Sequence, residues 1–593
     1  MKNDDVRAML PELCFSYKEW FMLMKFIRNS FLVLCVFLCV MLGTEAVAQD
    51  LDRLLPKSVE MSDRVPTSPA QISPVDTTTD SDQVLLNKLT GLVFVNSPDK
   101  IVPEGSEFTG VQVDVSLPDS FFEETEAYIG QPLTLGGLNN LLKQVVVYFR
   151  SQSTPVVDVY VPEQDITNGT VQIVVLEGRI GQVRAEGNIW FSDEILTQQI
   201  SLLPGDIVRG DALAKDIAWL NRNPFRQVDL ILARGDERGQ TDIVLRTEDR
   251  IPLRVFVGAE NSGTNVTGRN RYLTGINWGN AFGLDHRMDY QFTSGESLSR
   301  MKAHSLRYEI PLSRKHAISF SGAYAKSLPD LGPLELNARS WQLTGNYSFD
   351  LAAVGRYKHS VNLGVEYKFS NSNLEFVSIP VFDKKTEIIQ GLLGYGGGGP
   401  DSFGNTSFNV GLVASPGDLA RYNDRDDFAQ YGQDLSPEYA YALIDIHRNT
   451  TLFRGAYWSS KAHGQFADGR LMGSEQIGLG GESSVRGFDE REINGDSGLL
   501  LTNEVRTKSY NLGTLLGQTF NCGTVQFLGF WDYGVANVKN NSQNMILSSV
   551  GAGFRYRYGP RVSMRFDYGW QQIGDDFDPR VDSRGHFGVV VGF

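Results

Sequence analysis

Residues 361–369 read VNLGVEYKF, and their side chains alternate in kind along the chain. The odd-numbered residues are aliphatic or aromatic, whereas the even-numbered ones, apart from Gly364, are Asn, Glu and Lys. Successive side chains of a β-strand point to opposite faces, so the alternation predicts a strand with one apolar and one charged face. The same pattern recurs in LRVFVGAE (253–260), RVSMRFDYG (561–569) and HFGVVVGF (586–593).

The charged face of these strands indicates where they lie. A soluble β-sandwich also alternates, but here the second face carries charges of both signs from strand to strand. A hydrated, ion-paired lumen accounts for that face, and contact with lipid accounts for the aromatic and aliphatic one. Residues 250–593 are therefore predicted to form a transmembrane antiparallel β-barrel of about 16 strands.

Composition narrows the possible partners. The chain has 593 residues and a formal net charge of −15, and it contains no run rich in Lys and Arg. Because nucleic-acid binding depends on basic surfaces, we expect no nucleic-acid partner. Three of the four cysteines lie in the first 48 residues, and the seven His residues show no paired spacing. The sequence therefore predicts no metal site and no other cofactor.

Residues 1–48 are predicted to be a signal peptide. Lys25 and Arg28 precede a run of twelve apolar residues, which is followed by an A-x-A cleavage site at 46–48. Spanning a bilayer as a helix takes roughly 20 apolar residues, so this run is too short to act as an anchor. Met24 is the expected true start, and the protein is expected to be exported.

Three further regions precede the barrel. Residues 49–83 are predicted to form a short helix (49–63) followed by a linker rich in Pro, Ser and Thr. In 84–178 and again in 179–249, alternating stretches flank stretches with helical spacing. This repetition predicts two consecutive α+β units, each with the order strand, two helices, two strands. In the second unit the helices are expected near 192–202 and 211–222.

Several motifs resemble one family. The order of signal peptide, short helix, linker, two α+β units and barrel resembles the outer-membrane transporters of two-partner secretion, the haemolysin-activator type of the POTRA–barrel superfamily. The motifs that carry this resemblance are VVDVYVPEQDITNGTVQIVVLEGRIGQVRAEGN (156–188), LNRNPFRQVDLILARG (220–235), NSGTNVTGRNRY (261–272), SVRGF (484–488) and FWDYG (530–534). The resemblance implies two periplasmic POTRA domains and an outer-membrane pore that translocates an unfolded exoprotein without nucleotide hydrolysis.

The last two motifs suggest a specific contact. The resemblance implies that SVRGF lies in a loop, around 480–498, that folds back into the lumen, with Val485, Gly487 and Phe488 as its motif residues. Phasing of the FWDYG strand places Asp532 on the lumenal face, with Phe530 and Gly534 in the same motif. A buried carboxylate requires a cation, and the resemblance supplies Arg486 as its partner. Two unrelated lumenal charges would be the alternative.

The POTRA-like units are expected to receive the client. Exposed strand edges accept an extended peptide as an additional strand, with little demand on its sequence. We expect the client's N-terminal region to bind a groove in the second unit, beside helix 192–202 and strand 228–235. The neighbouring segment Asn223, Pro224, Phe225 and Arg226 is included in this predicted site. The alternative is that both units are only spacers.

The remaining expectations concern function and partners. The client would be an adhesin or a cytolysin-like protein, the barrel would contact outer-membrane lipid, and the pore is expected to be monomeric. The principal alternative is an outer-membrane assembly or insertion factor of the same superfamily, although such factors usually carry more POTRA units. GDSG (495–498) resembles a protease motif but lacks recognisable His and Asp partners, so no enzyme is expected. GYGGGGP (394–400) is predicted to be a loop or turn rather than a phosphate-binding loop.

Overall fold

The computed structural model describes residues 82–593, apart from short segments at 116–118, 238, 265–266, 329, 332–333, 377–378, 433, 518–521, 542 and 574–581. The predicted signal peptide, the helix at 49–63 and the linker up to residue 81 lie outside the described residues. No helix in the described part of the chain is long and apolar enough to cross a membrane.

The first α/β unit packs two helices on a four-stranded sheet. Its elements are β1 (Val84–Leu86), β2 (Gly91–Val95), β3 (Gly110–Val113), α1 (Asp119–Glu126), β4 (Leu133–Thr134), α2 (Leu135–Ser151), β5 (Val157–Tyr160) and β6 (Thr170–Glu177). The sheet order is β3-β2-β6-β5, and β1 pairs separately with β4. Helix α2 buries Leu138, Leu141, Val145 and Phe149, whose spacing of three and four residues forms one apolar stripe. This apolar stripe packs on the sheet and forms the core of the unit.

The second α/β unit has the predicted order of strand, two helices and two strands. Its elements are β7 (Arg179–Glu186), α3 (Asp193–Thr197), α4 (Gly210–Leu220), β8 (Arg226–Arg234) and β9 (Gln240–Asp249). The sheet order β7-β9-β8 leaves β8 at an edge, paired with β9 alone among the described strands. Helix α3 ends at Thr197, so the helix predicted over 192–202 is shorter than expected.

The rest of the chain forms a closed antiparallel barrel. Its strands are β10 (Leu253–Glu260), β11 (Arg271–Ala281), β12 (His286–Ser294), β13 (Met301–Pro311), β14 (His316–Ser327), β15 (Asp330–Leu331), β16 (Leu334–Asp350), β17 (Lys358–Phe376), β18 (Ile379–Pro400), β19 (Gly404–Pro416), β20 (Glu438–Thr451), β21 (Tyr457–Ala467), β24 (Ser497–Arg506), β25 (Tyr510–Asn511), β26 (Thr524–Asn537), β27 (Asn544–Tyr558), β28 (Val562–Ile573) and β29 (Ser583–Gly592). The first barrel strand pairs with the last, which closes the cylinder. Because β15 and β25 are two-residue extensions, the wall has sixteen long strands, as predicted.

Shorter elements lie in the loops between barrel strands. Helix α5 (Arg425–Ala429) follows β19, and helix α6 (Leu512–Leu515) follows β25. Strands β22 (Ile477–Leu479) and β23 (Ile493–Gly495) pair with each other between β21 and β24.

The two faces of the wall strands differ as the alternation predicts. On β17, Leu363 and Val365 are 50% and 62% exposed on the outer face, whereas lumenal Glu366 is 6% exposed. The prediction of a loop at 394–400 was wrong, because these residues form the end of β18 and pair with both neighbouring strands. Close packing explains the glycines there: a Cβ on Gly397 would lie 2.4 Å from Oη of Tyr357.

Candidate functional site: a loop held inside the barrel

The segment 468–496 joins β21 to β24 and is held against the inside of the wall. Its β22–β23 hairpin supplies apolar side chains that are buried together with Ala536 of β26 and Leu547 of β27. The loop members of this cluster are Ile477, Leu479, Val485, Phe488 and Ile493. Burial of these residues favours the inward position of the loop, because they would be exposed to water if it extended outward.

Arg486 at the tip of this loop contacts the wall through its whole guanidinium. Its Nε donates to Oδ2 of Asp532 at 2.7 Å and its Nη2 donates to Oδ1 at 2.8 Å. Its Nη1 donates to Oε1 of Glu504 at 2.5 Å and lies 3.7 Å from Oδ1 of Asp567. One loop cation is thus surrounded by carboxylates from β24, β26 and β28, two of which it bonds directly.

The other motif residues surround this contact. The guanidinium carbon of Arg486 lies 3.6 Å from the centre of the Phe530 ring, a cation–π contact. A Cβ on Gly534 would lie 2.9 Å from Val485 and 3.0 Å from Leu479, so glycine leaves room for the loop. The structure therefore brings Arg486, Asp532, Val485, Phe530 and Gly534 together.

Gly487 allows the loop to reverse against the wall. Its φ of +95° lies in the left-handed region, which favours glycine. Its N–H donates to Nε2 of His586 at 3.0 Å, and its carbonyl accepts from Nε2 of Gln571 at 2.8 Å. Phe488, beside it, is 3% exposed within the loop's apolar cluster.

Charge is balanced around the tip of the loop. Arg506 donates to Glu504 through Nε at 2.6 Å, and Arg555 makes two bonds to Asp567 at 2.8 and 2.9 Å. Three guanidinium groups therefore face three carboxylates, so the site can hold the loop without an unpaired buried charge. The charged side chains of this site bind one another, and no nucleophile among them is paired with a base. This arrangement is suited to holding the loop in place.

Sequence reasoning missed Glu504 and Asp496. Glu504 lies in the alternating stretch LLLTNEVR (499–506), whose phase could have placed it on the lumenal face. Asp496 lies in the GDSG stretch that was rejected as a protease motif, and it is fully buried. Its carboxylate accepts from the N–H groups of Leu471 and Lys539, at 2.9 and 2.8 Å, and from the side chain of Gln476. It thereby ties the beginning of the loop to its end.

The segment 223–226 lies at the junction between the second unit and the barrel. Arg226 makes two hydrogen bonds of 2.9 Å to Asp285, which lies in the turn between β11 and β12. Nδ2 of Asn223 donates to the same carboxylate at 2.8 Å and to the carbonyl of Gly279 at 2.5 Å. Phe225 packs where a Cβ on Gly279 would lie, 2.0 Å from its ring. These buried side chains do not line an accessible groove, so their inclusion in the client-binding site was wrong.

The groove beside helix 192–202 and strand 228–235 stays a prediction. Helix α3 lies on β7, and helix α4 lies on β8. Leu196 and Ile200 nevertheless share one apolar cluster with Val228 of β8. The feature of this unit that could receive a peptide is the edge of β8.

A second connection fixes this unit to the next turn of the barrel. Arg314, in the turn between β13 and β14, forms an ion pair with Asp216 of α4. Burial raises the pKa of Asp216, and this effect opposes hydrogen bonds from Ser201 and the charge of Arg314. Both turns that contact the unit therefore lie at the same end of the barrel.

Among the described residues, no group of three or more His, Cys, Asp or Glu side chains is arranged to hold a metal ion.

Two α/β units followed by a sixteen-stranded barrel with an arginine-anchored loop define the POTRA–barrel class of outer-membrane proteins. The model of the family described as haemolysin secretion/activation protein ShlB/FhaC/HecB matches residues 239–556, more than half of the chain. The model of the ShlB-type POTRA domain matches residues 108–178. The chain therefore belongs to the ShlB/FhaC/HecB family of haemolysin secretion/activation proteins.

Individual relatives agree with this assignment. The heme/hemopexin transporter protein HuxB of Haemophilus influenzae is 23% identical over 446 residues, covering 72% of this chain and 76% of that protein. The outer membrane transporter CdiB of Escherichia coli is 24% identical over 414 residues, covering 65% of this chain and 66% of that protein. The structure of CdiB from Escherichia coli matches with a TM-score of 0.65 and 18% identity, covering 89% of this chain and 94% of that one.

The family assignment defines the class of function. The protein is an outer-membrane transporter of the two-partner secretion type, with POTRA domains in the periplasm, and it secretes an exoprotein. It is not an enzyme. The assembly-factor alternative is disfavoured, because the family that matches consists of secretion proteins.

Proposed function

We propose that this barrel exports an unfolded exoprotein past the 468–496 loop, which Arg486 anchors to the wall. The observation that carries this proposal is the convergence of Asp532, Glu504 and Asp567, from three strands, on one guanidinium of the loop. A loop whose only role was to connect β21 to β24 would not need a cation that is bound by carboxylates from three strands.

The open edge of β8 is the proposed docking surface for the client. The N–H and C=O of Val228 at the start of this edge bind the side chain of Asn221, at 2.7 and 2.9 Å. Beyond Val228, an extended peptide would join the sheet along β8 as a fourth strand. Main-chain hydrogen bonds give affinity with little demand on sequence, and an unfolded protein in transit requires that tolerance. The second unit is fixed to the barrel turns through Asp285 and through the ion pair of Arg314 with Asp216, so a peptide on β8 would be delivered at a fixed position relative to the pore.

The client is proposed to be a single large exoprotein of the adhesin or cytolysin-like kind. The names of relatives include a heme/hemopexin transporter and a hemolysin transporter, which indicates that members of the family serve different exported proteins. We also propose that the pore works as a monomer, with lipid around its outer face and no nucleic-acid partner.

The first test is Arg486→Ala, measured as secreted client in the medium and as folded barrel in the membrane. Removing one partner of a buried ion pair costs about 3–5 kcal/mol, so the loop should detach and secretion should fall at least tenfold. Insertion of the barrel should fall much less. Arg287→Ala is the matched control, because Arg287 pairs with lumenal Glu309 and makes no contact with the loop. If secretion and membrane insertion fell by the same factor, Arg486 would be needed only for the barrel to fold, and the proposal would be wrong.

The second test concerns the class of client. Deleting the gene should remove one large protein from the culture supernatant, and restoring it should bring that protein back. An unchanged set of secreted proteins would contradict export by this barrel.

A further inference from the structure

The first arm of the loop carries a second buried charge, Glu475, which binds a different set of wall strands from Arg486. Its carboxylate accepts from Nζ of Lys368 on β17 at 3.0 and 3.1 Å. It also accepts from Nε2 of Gln390 on β18 at 3.0 Å and from the hydroxyl of Tyr441 on β20 at 3.1 Å. The Glu475 side chain is fully buried. The first arm of the loop is thus fastened to the wall by Glu475, in addition to the contacts of the Arg486 tip.

The two fastening points differ in what their release would leave behind. Lys368 also lies 3.0 Å from Oε2 of Glu366, a neighbour on the same strand. Glu366 accepts from Gln342, Thr344 and Gln390 as well. If Glu475 left, the wall would therefore keep a satisfied Lys368–Glu366 pair. If Arg486 left, Asp532 would lose the guanidinium that makes two side-chain hydrogen bonds to it, and a fully buried carboxylate would remain.

A cavity of about 700 Å³ ends at the second fastening point. Its roof is formed by the loop: by residues 474–479 around Glu475 and, closer to the tip, by Ser483, Ser484 and Arg491. Its wall runs along β20 and β21 toward their periplasmic turn. The described residues that line it include Glu475 and Lys368 but not Arg486 or Asp532. The wall of the cavity is lined by polar side chains together with acidic and basic ones: Asn409, Asp445, His447, Lys461 and His463. A hydrated lining of this kind suits an extended chain of any sequence.

We propose that Glu475 is the release point of the loop and that Arg486 is its hinge. On this assignment the client rises from the periplasmic side along β20 and β21 and displaces the Glu475 arm. The Arg486 tip stays bound to the wall throughout. The inference rests on the proposed function, since it assigns different roles to the two ends of the same loop.

The test uses the full-length protein in planar lipid bilayers, with ion conductance as the readout. Glu475→Gln removes the ion pair with Lys368 and keeps the shape of the side chain. The open fraction should rise about tenfold, which corresponds to about 1.4 kcal/mol of lost fastening energy, and secretion in cells should persist. Glu309→Gln is the matched control, because it also breaks a lumenal ion pair but does not touch the loop. Tyr441→Phe removes one hydrogen bond to Glu475 and should shift the open fraction in the same direction by a smaller factor.

The outcomes separate this inference from the proposed function. If Glu475→Gln and Tyr441→Phe both conduct like Glu309→Gln, or if Glu475→Gln stops secretion as Arg486→Ala does, then Glu475 is not the release point. If Arg486→Ala secretes normally, the anchoring role fails, whatever the conductance of the Glu475 variants.

Discussion

At the scale of single residues, the loop tip requires arginine rather than a positive charge alone. The guanidinium uses Nε and Nη2 on one carboxylate and Nη1 on a second, while its flat face covers Phe530. A lysine ammonium is a compact point charge and cannot hold this planar fork geometry. The position therefore depends on the shape of the side chain as much as on its charge.

Gly569 offers a residue-scale test of how closely the loop tip approaches the wall. A Cβ at this position would lie 2.7 Å from the backbone N of Gly487 and 2.8 Å from the carbonyl carbon of Arg486. Backbone atoms cannot yield as a flexible side chain can, so Gly569→Ala should displace the tip. We expect greater protease sensitivity of the 468–496 loop and reduced secretion, with the barrel still inserted.

Gly585→Ala is the control for this substitution. Gly585 lies opposite Tyr568 on the neighbouring strand, and a Cβ there would meet side-chain atoms only at 3.5–3.7 Å. Both proteins should be digested in parallel in the native membrane. Equal protection of the loop in Gly569→Ala and Gly585→Ala would mean that the tip does not rest on β28 as described.

At the scale of elements, the end of β11 and its turn form the support for the second α/β unit. Phe225 occupies the space beside Gly279, and Arg226 and Asn223 converge on Asp285. Arg222 adds a further contact to the same carboxylate at 3.3 Å. One acidic residue in a barrel turn therefore organises three side chains of the periplasmic unit.

Replacing Asp285 should loosen this unit from the barrel. Asp285→Ala leaves the fully buried Arg226 side chain without its carboxylate, which costs about 3–5 kcal/mol. We expect faster amide hydrogen exchange in the β11–β12 turn and in residues 221–226, with the barrel strands unchanged. Asp401→Ala is the control, because Asp401 is a half-exposed carboxylate in another periplasmic turn that pairs with Arg448. Matching exchange in the two variants would rule out Asp285 as the organising residue.

The same elements show how much of this molecule could be predicted from its sequence. The wall strands were predictable because lipid on one face and charge on the other impose a strict two-residue period, as in 361–369. The 394–400 stretch was misread because glycine signals turns locally, while neighbours such as Tyr357 lie far away in the sequence. Segment 223–226 was misplaced for a similar reason, since its partner Asp285 belongs to the barrel. Glu475 escaped notice because no local pattern marks its partners on three separate strands.

At the scale of the whole molecule, the proposed roles of the described parts define a route for the client. The edge strand β8 is fixed near the periplasmic end of the barrel, and the polar cavity leads along β20 and β21 to the loop. The sequence contains no nucleotide-binding fingerprint that could supply energy along this path. A domain that folds outside gains about 5–15 kcal/mol and can no longer return through the pore. Folding of the client on the cell surface is therefore the proposed source of direction.

A client that cannot fold outside should consequently stall within the barrel. The client would carry its natural N-terminal region and a destabilised remainder, and a photoreactive amino acid would replace Ile231 on β8 or, as the control, Glu186 on β7. Both positions lie on edge strands of the same sheet, so only specific docking should favour Ile231. We expect the stalled client to cross-link at position 231, to stay cell-associated, and to block secretion of the natural client. Release of the destabilised client at the normal rate would show that folding does not provide the direction, and equal cross-linking at both positions would remove β8 as the docking edge.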